Sequence, residues 1–179
     1  MCGIVGITSS KKVSNSILNS LRKLEYRGYD SAGIATLEKG IIKEVKCEGR
    51  VDALEHNLSK VNIDGKVGIG HVRWATHGVP SAINAHPHSS DKVSVVHNGI
   101  IENSTILKKL LIKKGYVFKS QTDTEVIVHL ISDYLKKNDL KNSIIKMLKR
   151  VHGSFALGII FKDQPDLIIG ARRGSPLAV

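Results

Sequence analysis

Aromatic residues are scarce: one Trp, four Tyr and three Phe make up 4% of 179 residues. A surface that stacks successive bases needs more of them, which argues against single-stranded nucleic acid as the partner. Cysteine is rarer still. Cys2 and Cys47 provide no disulfide framework and point to a reducing, cytoplasmic setting. Charged or polar residues interrupt every apolar run well short of the roughly 20 residues that cross a bilayer, so no membrane association is expected. The Met1 to Thr8 stretch lacks the basic start and apolar segment of a secretory signal. With four prolines, no internal repeat and no linker-like stretch, residues 1–179 read as one domain, and its 41% of hydrophobic residues suits a packed core.

Acidic residues are the other shortage. Sixteen Asp and Glu against 27 Lys and Arg leave a formal net charge of +11. The lysines fall in helix-like, solvated patterns, Lys108, Lys109, Lys113 and Lys114, then Lys136, Lys137, Lys141, Lys146 and Lys149. The charge therefore reads as solubility or attraction of an anionic ligand, with no nucleic acid partner.

What is present is a regular alternation of patterns. Ile4, Val5 and Ile7 predict a buried first strand, and Val13, Ile17, Leu18, Leu21 and Leu24 mark one face of a helix ending at Arg27 and Gly28. Gly33 to Leu37 and Ile41 to Cys47 read as a hairpin turning at Lys39 and Gly40. Strands follow at Val67 to Trp74 and Val93 to His97, separated by a long polar loop that is a functional suspect. Asn103 is placed to cap a helix carrying Ile106, Leu107, Leu110 and Leu111, and Thr122 with Glu125 has capping-box spacing before Val126, Ile127, Leu130, Ile131 and Tyr134. A further helix holds Ile144, Ile145 and Leu148, and Phe155 to Phe161 and Leu167 to Ala171 give two last strands. Strand pairs alternating with helix pairs fit layered sheets covered by helices, an α+β arrangement.

Cys2 is the residue with most chemical potential. Removal of Met1 would leave a thiol and a free α-amine on one residue, and an α-amine titrates near pH 8, low enough to serve as a base. Arg73, Trp74, Ala75, Thr76, His77 and Gly78 concentrate a guanidinium, a hydroxyl and an imidazole at a strand end, and a guanidinium binds a carboxylate through two parallel bonds. Asn98 and Gly99, at the end of the next predicted strand, have the equipment of an oxyanion hole, although Asn-Gly is also a common turn. Asp123 stands at a helix start, where it either complements the helix dipole or binds a ligand. His71, His77, His86, His88 and His97 raise the question of a metal, but no ligand arrangement with supporting partners emerges, and neither a metal nor another cofactor is expected.

Taken in order, Cys2 to Ile7, Arg27 to Gly33, Arg73 to Gly78, the Asn84 to His88 run Asn-Ala-His-Pro-His, His97 to Asn103 and Thr122 to Glu125 resemble the glutaminase domain of the class II glutamine amidotransferases, the N-terminal-nucleophile group. Within that class they are most similar to the branch that aminates fructose 6-phosphate to glucosamine 6-phosphate. The resemblance implies a four-layer αββα sandwich with the cysteine at the start of an inner strand. It implies Cys2, Asn98 and Gly99 as the catalytic set, Arg73, Thr76, His77 and Asp123 around L-glutamine, and Arg27 and Trp74 shaping or covering the site. The segment ends directly after strand-like sequence, so the sandwich is expected to lack its last strands. By the same resemblance, the sugar-phosphate isomerase domains of a homodimeric complete enzyme are absent. A catalytically silent remnant, or service to another ammonia acceptor such as a phosphoribosyl diphosphate or an aspartyl adenylate, are the alternative readings.

Overall fold

The structure, a computed structural model, describes residues 2–75 and 78–179. Two four-stranded sheets face each other. The first is built from β1 (Gly3–Thr8), β2 (Ser31–Glu38), β3 (Ile41–Glu48) and β4 (Val67–Arg73) in the order β1-β4-β2-β3. The second contains β5 (His88–Ser89), β6 (Val93–Ile101), β7 (Gly153–Phe161) and β8 (Ile168–Arg173) in chain order. All of these pairings are antiparallel. Helices α1 (Ser14–Leu24) and α2 (Val51–Leu58) cover the outer face of the first sheet, and α3 (Ser104–Lys113), α4 (Glu125–Tyr134) and α5 (Leu140–Arg150) lie over the second. This is the four-layer αββα sandwich. Among the described residues no helix is long and apolar enough to cross a membrane.

Three apolar clusters hold the layers. Ile17, Leu18 and Leu21 of α1 and Leu54 of α2 pack on Ile34, Val45 and Val72. Ile69, Val96 and Ile160, with Ala35 and Val67, fill the seam between the sheets. Leu107, Ile127, Ile131 and Met147 join Val95, Leu157 and Ile159 on the far side. Each fully buried aliphatic side chain contributes about 2 kcal/mol through lost contact with water.

Several expectations from the sequence need correction. β1 is an edge strand, paired only with β4 among the described residues, so Ile4, Val5 and Ile7 are half-buried and the strand is not an inner one. The helix α2 has no counterpart in the sequence reading, although Val51, Leu54 and Leu58 keep helical spacing. Its first amide, Val51 N, donates to Glu25 Oε1 at 2.7 Å, a cap supplied from far along the chain. Asn103 does cap a helix by position, but its side chain makes no capping bond; it donates to Arg150 O and accepts from His152 N, tying α3 to the start of β7. The hairpin turn at Lys39 and Gly40 is as expected, both residues having positive φ.

Candidate active site

Strand alternation aims β4 at two layers. Gly68, Gly70 and Val72 lie against α1, while Val67 and Ile69 face the seam, and His71 and Arg73 share their face. Arg73 ends the strand and is buried; its guanidinium donates to Gly78 O at 3.0 Å and Val79 O at 3.4 Å, with the Asp30 carboxylate 3.9 Å away. Asp30 also accepts from Ser31 Oγ and from Ala75 N, so one carboxylate holds both the guanidinium and the segment that follows it. The sequence marked Arg27 to Gly33 as a turn without giving Asp30 this task; the clue was the one carboxylate within that turn.

The pairing of Gly3 with Val72 brings Cys2 beside the end of β4. Trp74 N donates to Cys2 Sγ at 3.5 Å, Trp74 O lies 3.7 Å from the sulfur, and Arg27 Nε donates to Cys2 O at 3.1 Å. Burial pushes the Cys2 thiol above its ordinary pKa, opposed by the Trp74 backbone and by Arg73. The sulfur is thus a thiol at neutral pH and needs a base to become a nucleophile. Trp74 itself is half exposed, edge-on to Tyr29 with centroids 5.6 Å apart.

The second sheet supplies the opposite wall. β6 runs through Asn98 and Gly99 to Ile101, so these residues neither end the strand nor form a turn. Asp123 Oδ2 accepts from Ile101 N at 2.7 Å, and its Oδ1 lies 3.8 Å from His97 Nδ1. The predicted capping box does not form. Thr124 occupies the N-cap of α4 without a side-chain capping bond, and Glu125 turns back to accept from Lys119 N at 2.8 Å, Ser120 N at 2.7 Å and Ser120 Oγ at 2.6 Å. Burial alone would raise its pKa, but those donors together with His129 hold it at about 2.

The long polar loop returns to the sheets and brings His86 and His88 against His71 and His97. His86 stacks on His71 with centroids 4.2 Å apart. His71 Nε2 faces His97 O at 2.9 Å; a carbonyl only accepts, so that nitrogen carries the proton. Ser120 gives its proton to Glu125, hence Thr122 donates to Ser120 at 3.0 Å and His88 Nε2 donates to Thr122 at 2.9 Å. Burial keeps His71, His86 and His88 neutral, lowering His71 and His88 to about 3 and His86 well below the ordinary histidine value.

The resulting cleft gathers Cys2, Arg73 and Trp74 from the side of the first sheet, Gly99 from the second sheet and Asp123 from the turn before α4. His86, His97, Thr122 and Thr124 complete its wall, and the sequence did not single out the two threonines as site residues. Asn98 lies next to the cleft on β6, sharing by alternation the face of Val96, which packs into the seam. Arg27 stands behind Cys2, on its carbonyl. Thr76 and His77 lie outside the described residues. A thiol, a buried cation, a half-buried carboxylate and a nearby amide converge here, the equipment for acyl transfer from a zwitterionic substrate.

Residues 71–175 match the family described as "Glutamine amidotransferase domain". Over its whole length the chain is 54% identical to a glutamine–fructose-6-phosphate aminotransferase (isomerizing) of Mesorhizobium japonicum and 52% identical to that of Clostridium acetobutylicum. It spans 30% of the length of each of these relatives. Among solved structures, a glutamine phosphoribosylpyrophosphate amidotransferase from B. subtilis superposes with a TM-score of 0.78 at 30% identity, over 90% of this chain and 35% of that one. A glutamine aminotransferase class-II domain protein from Silicibacter pomeroyi, 14% identical, shares the fold at a TM-score of 0.63 over 98% of this chain and 78% of its own.

Proposed function

The chain belongs to the glutamine amidotransferase domain family, and from that premise we propose that it hydrolyses L-glutamine to glutamate and ammonia through a thioester on Cys2. One observation carries the reading: the Cys2 thiol shares its cleft with a buried guanidinium, Arg73, and a carboxylate, Asp123, whose side chain is 9% exposed. Free glutamine presents an α-carboxylate and an α-ammonium, and a pocket answering each with its opposite excludes glutamine within a peptide. Thr76 and His77 join Arg73 around the substrate, Trp74 covers it, and Arg27 fixes the Cys2 backbone.

Removal of Met1 frees the Cys2 α-amine, which takes the thiol proton that burial otherwise retains. The thiolate attacks the side-chain amide carbon, and the oxyanion is met by the Asn98 side-chain N–H and the Gly99 amide. The ammonium formed on Cys2 returns its proton to the departing nitrogen; ammonia leaves, and water hydrolyses the γ-glutamyl thioester.

The names of the relatives support fructose 6-phosphate as the acceptor of this ammonia; the reading extends to glucosamine 6-phosphate as the product and to a longer, homodimeric, cytoplasmic enzyme with an isomerase-like portion outside this segment. An acceptor of the phosphoribosyl diphosphate type is the second reading, favoured by the structural likeness to the B. subtilis protein but at lower identity. Intact mass should show Met1 removed, and an electrophilic glutamine analogue should label Cys2 stoichiometrically, with glutamine protecting. Folded, mature protein that escapes labelling at Cys2 contradicts the mechanism.

A further inference from the structure

One buried hydroxyl in the cleft has no part in that chemistry. Thr124 is 0% exposed, and its Oγ1 lies 2.7 Å from His86 Nε2 and 2.8 Å from His97 Nδ1. A hydroxyl accepts through two lone pairs but has a single proton to give, so at most one of the two imidazoles accepts from it. The Asp123 carboxylate, 3.8 Å from His97 Nδ1, favours a proton on that nitrogen. His97 therefore donates to Thr124, and Thr124 donates to His86. With its hydroxyl engaged sideways, Thr124 leaves the α4 N-terminus uncapped by a side chain, an arrangement that makes sense if the tie serves the site and not the helix.

The tie continues to the other wall. His86 stacks on His71, His71 donates to the His97 carbonyl, and His71 stands two residues before Arg73 on the same face of β4. A continuous set of contacts thus runs from the strand that carries the buried Arg73, through three imidazoles and one hydroxyl, to the residue beside Asp123. Asp123 accepts a backbone bond from Ile101 N, which fixes one of its oxygens; the orientation of the other depends on where Thr124 holds the start of α4.

We propose that Thr124 is a positioning residue: bridged between His86 and His97, it sets the place of the Asp123 carboxylate and with it the requirement for a free α-amino group. The proposal rests on the reading that Asp123 binds the α-ammonium of glutamine.

The test compares hydrolysis of glutamine and of glutaramate, which lacks the α-amine, by the full chain. Thr124→Val removes the hydroxyl at nearly constant volume and should raise the glutamine KM about tenfold with kcat changed less than about threefold, lowering the preference over glutaramate by the same ~tenfold factor. Thr124→Ser should restore both. Asp123→Asn should also lower the preference, and adding Thr124→Val to it should lower the preference no further. His86→Phe keeps a ring against His71 while removing the acceptor, and gives a second route to the same loss should the valine variant not fold. If Asp123→Asn leaves the preference intact, the substrate reading fails. If Asp123→Asn lowers it while folded Thr124→Val or His86→Phe does not, or if either slows both substrates alike, the positioning role is wrong.

Discussion

A Cβ on Gly28 would stand 2.5 Å from the Arg73 carbonyl carbon and 2.7 Å from Trp74 N. Its φ of 178° is extended backbone, so the glycine is there for proximity and not for conformation. Gly99 has both reasons, a φ of +136° and a Cβ position only 2.1 Å from Ser154 O. Gly28→Ala should displace the Arg73–Trp74 segment and slow Cys2 labelling by an electrophilic glutamine analogue by at least about tenfold while the protein remains folded by circular dichroism. Asn98→Ala is expected to lower turnover by roughly a hundredfold with a glutamine KM within about threefold of wild type, as befits a donor to an oxyanion present only after attack. Wild-type turnover in that variant would remove Asn98 from the mechanism. At this scale the sequence exposed the reactive types, Cys2, Arg73, Asn98 and Asp123, because their chemistry is intrinsic. It concealed Gly28, whose importance is a contact with a strand far along the chain, and Thr124, an ordinary hydroxyl until two imidazoles arrive beside it.

Strands and amphipathic helices were legible wherever their period ran long enough, as in α1, with Ile17, Leu18 and Leu21 buried on one face. What local pattern could not disclose was the long-range fixing of their ends. The α2 amide is capped by Glu25, Asn103 bridges to Arg150 and His152, and Glu125 gathers the loop before α4 instead of closing a capping box. The last of these is the most consequential, since the carboxylate terminates the chain His88, Thr122, Ser120. Glu125→Gln replaces one acceptor oxygen with an amide donor facing N–H and O–H donors, at a cost of about 2 to 3 kcal/mol. The urea midpoint at neutral pH should fall accordingly, and an unchanged midpoint would mean that the loop finds other acceptors.

For the molecule as a whole, the buried imidazoles write an acid limit into stability. Below pH 6.5 the unfolded chain protonates its histidines, whereas folded His71 and His88 take up protons only near pH 3, with His86 lowered in the same direction. The unfolded state then binds more protons across that window, so stability is complete above pH 6.5 and is lost as the pH falls toward 3. Glu125 extends the loss from 4.5 down to about 2. Below about pH 6, unfolding free energy measured in urea should drop with a slope approaching 1.4 kcal/mol per pH unit for each such histidine; a flat profile between about pH 7 and pH 5 would show that these rings reach water. That four histidines meet was not deducible from a list of spacings, because it depends on the loop returning to the seam. The seam has one more consequence. If glutamine is gripped by Arg73 of one sheet and by Asp123, tied to Ile101 of the other, while the sulfur waits at a fixed depth between them, then Ile69, Val96 and Ile160, which touch no reactant, act as the gauge block of the site. The thickness they set decides whether an amino acid one methylene shorter can bring its amide to the thiol.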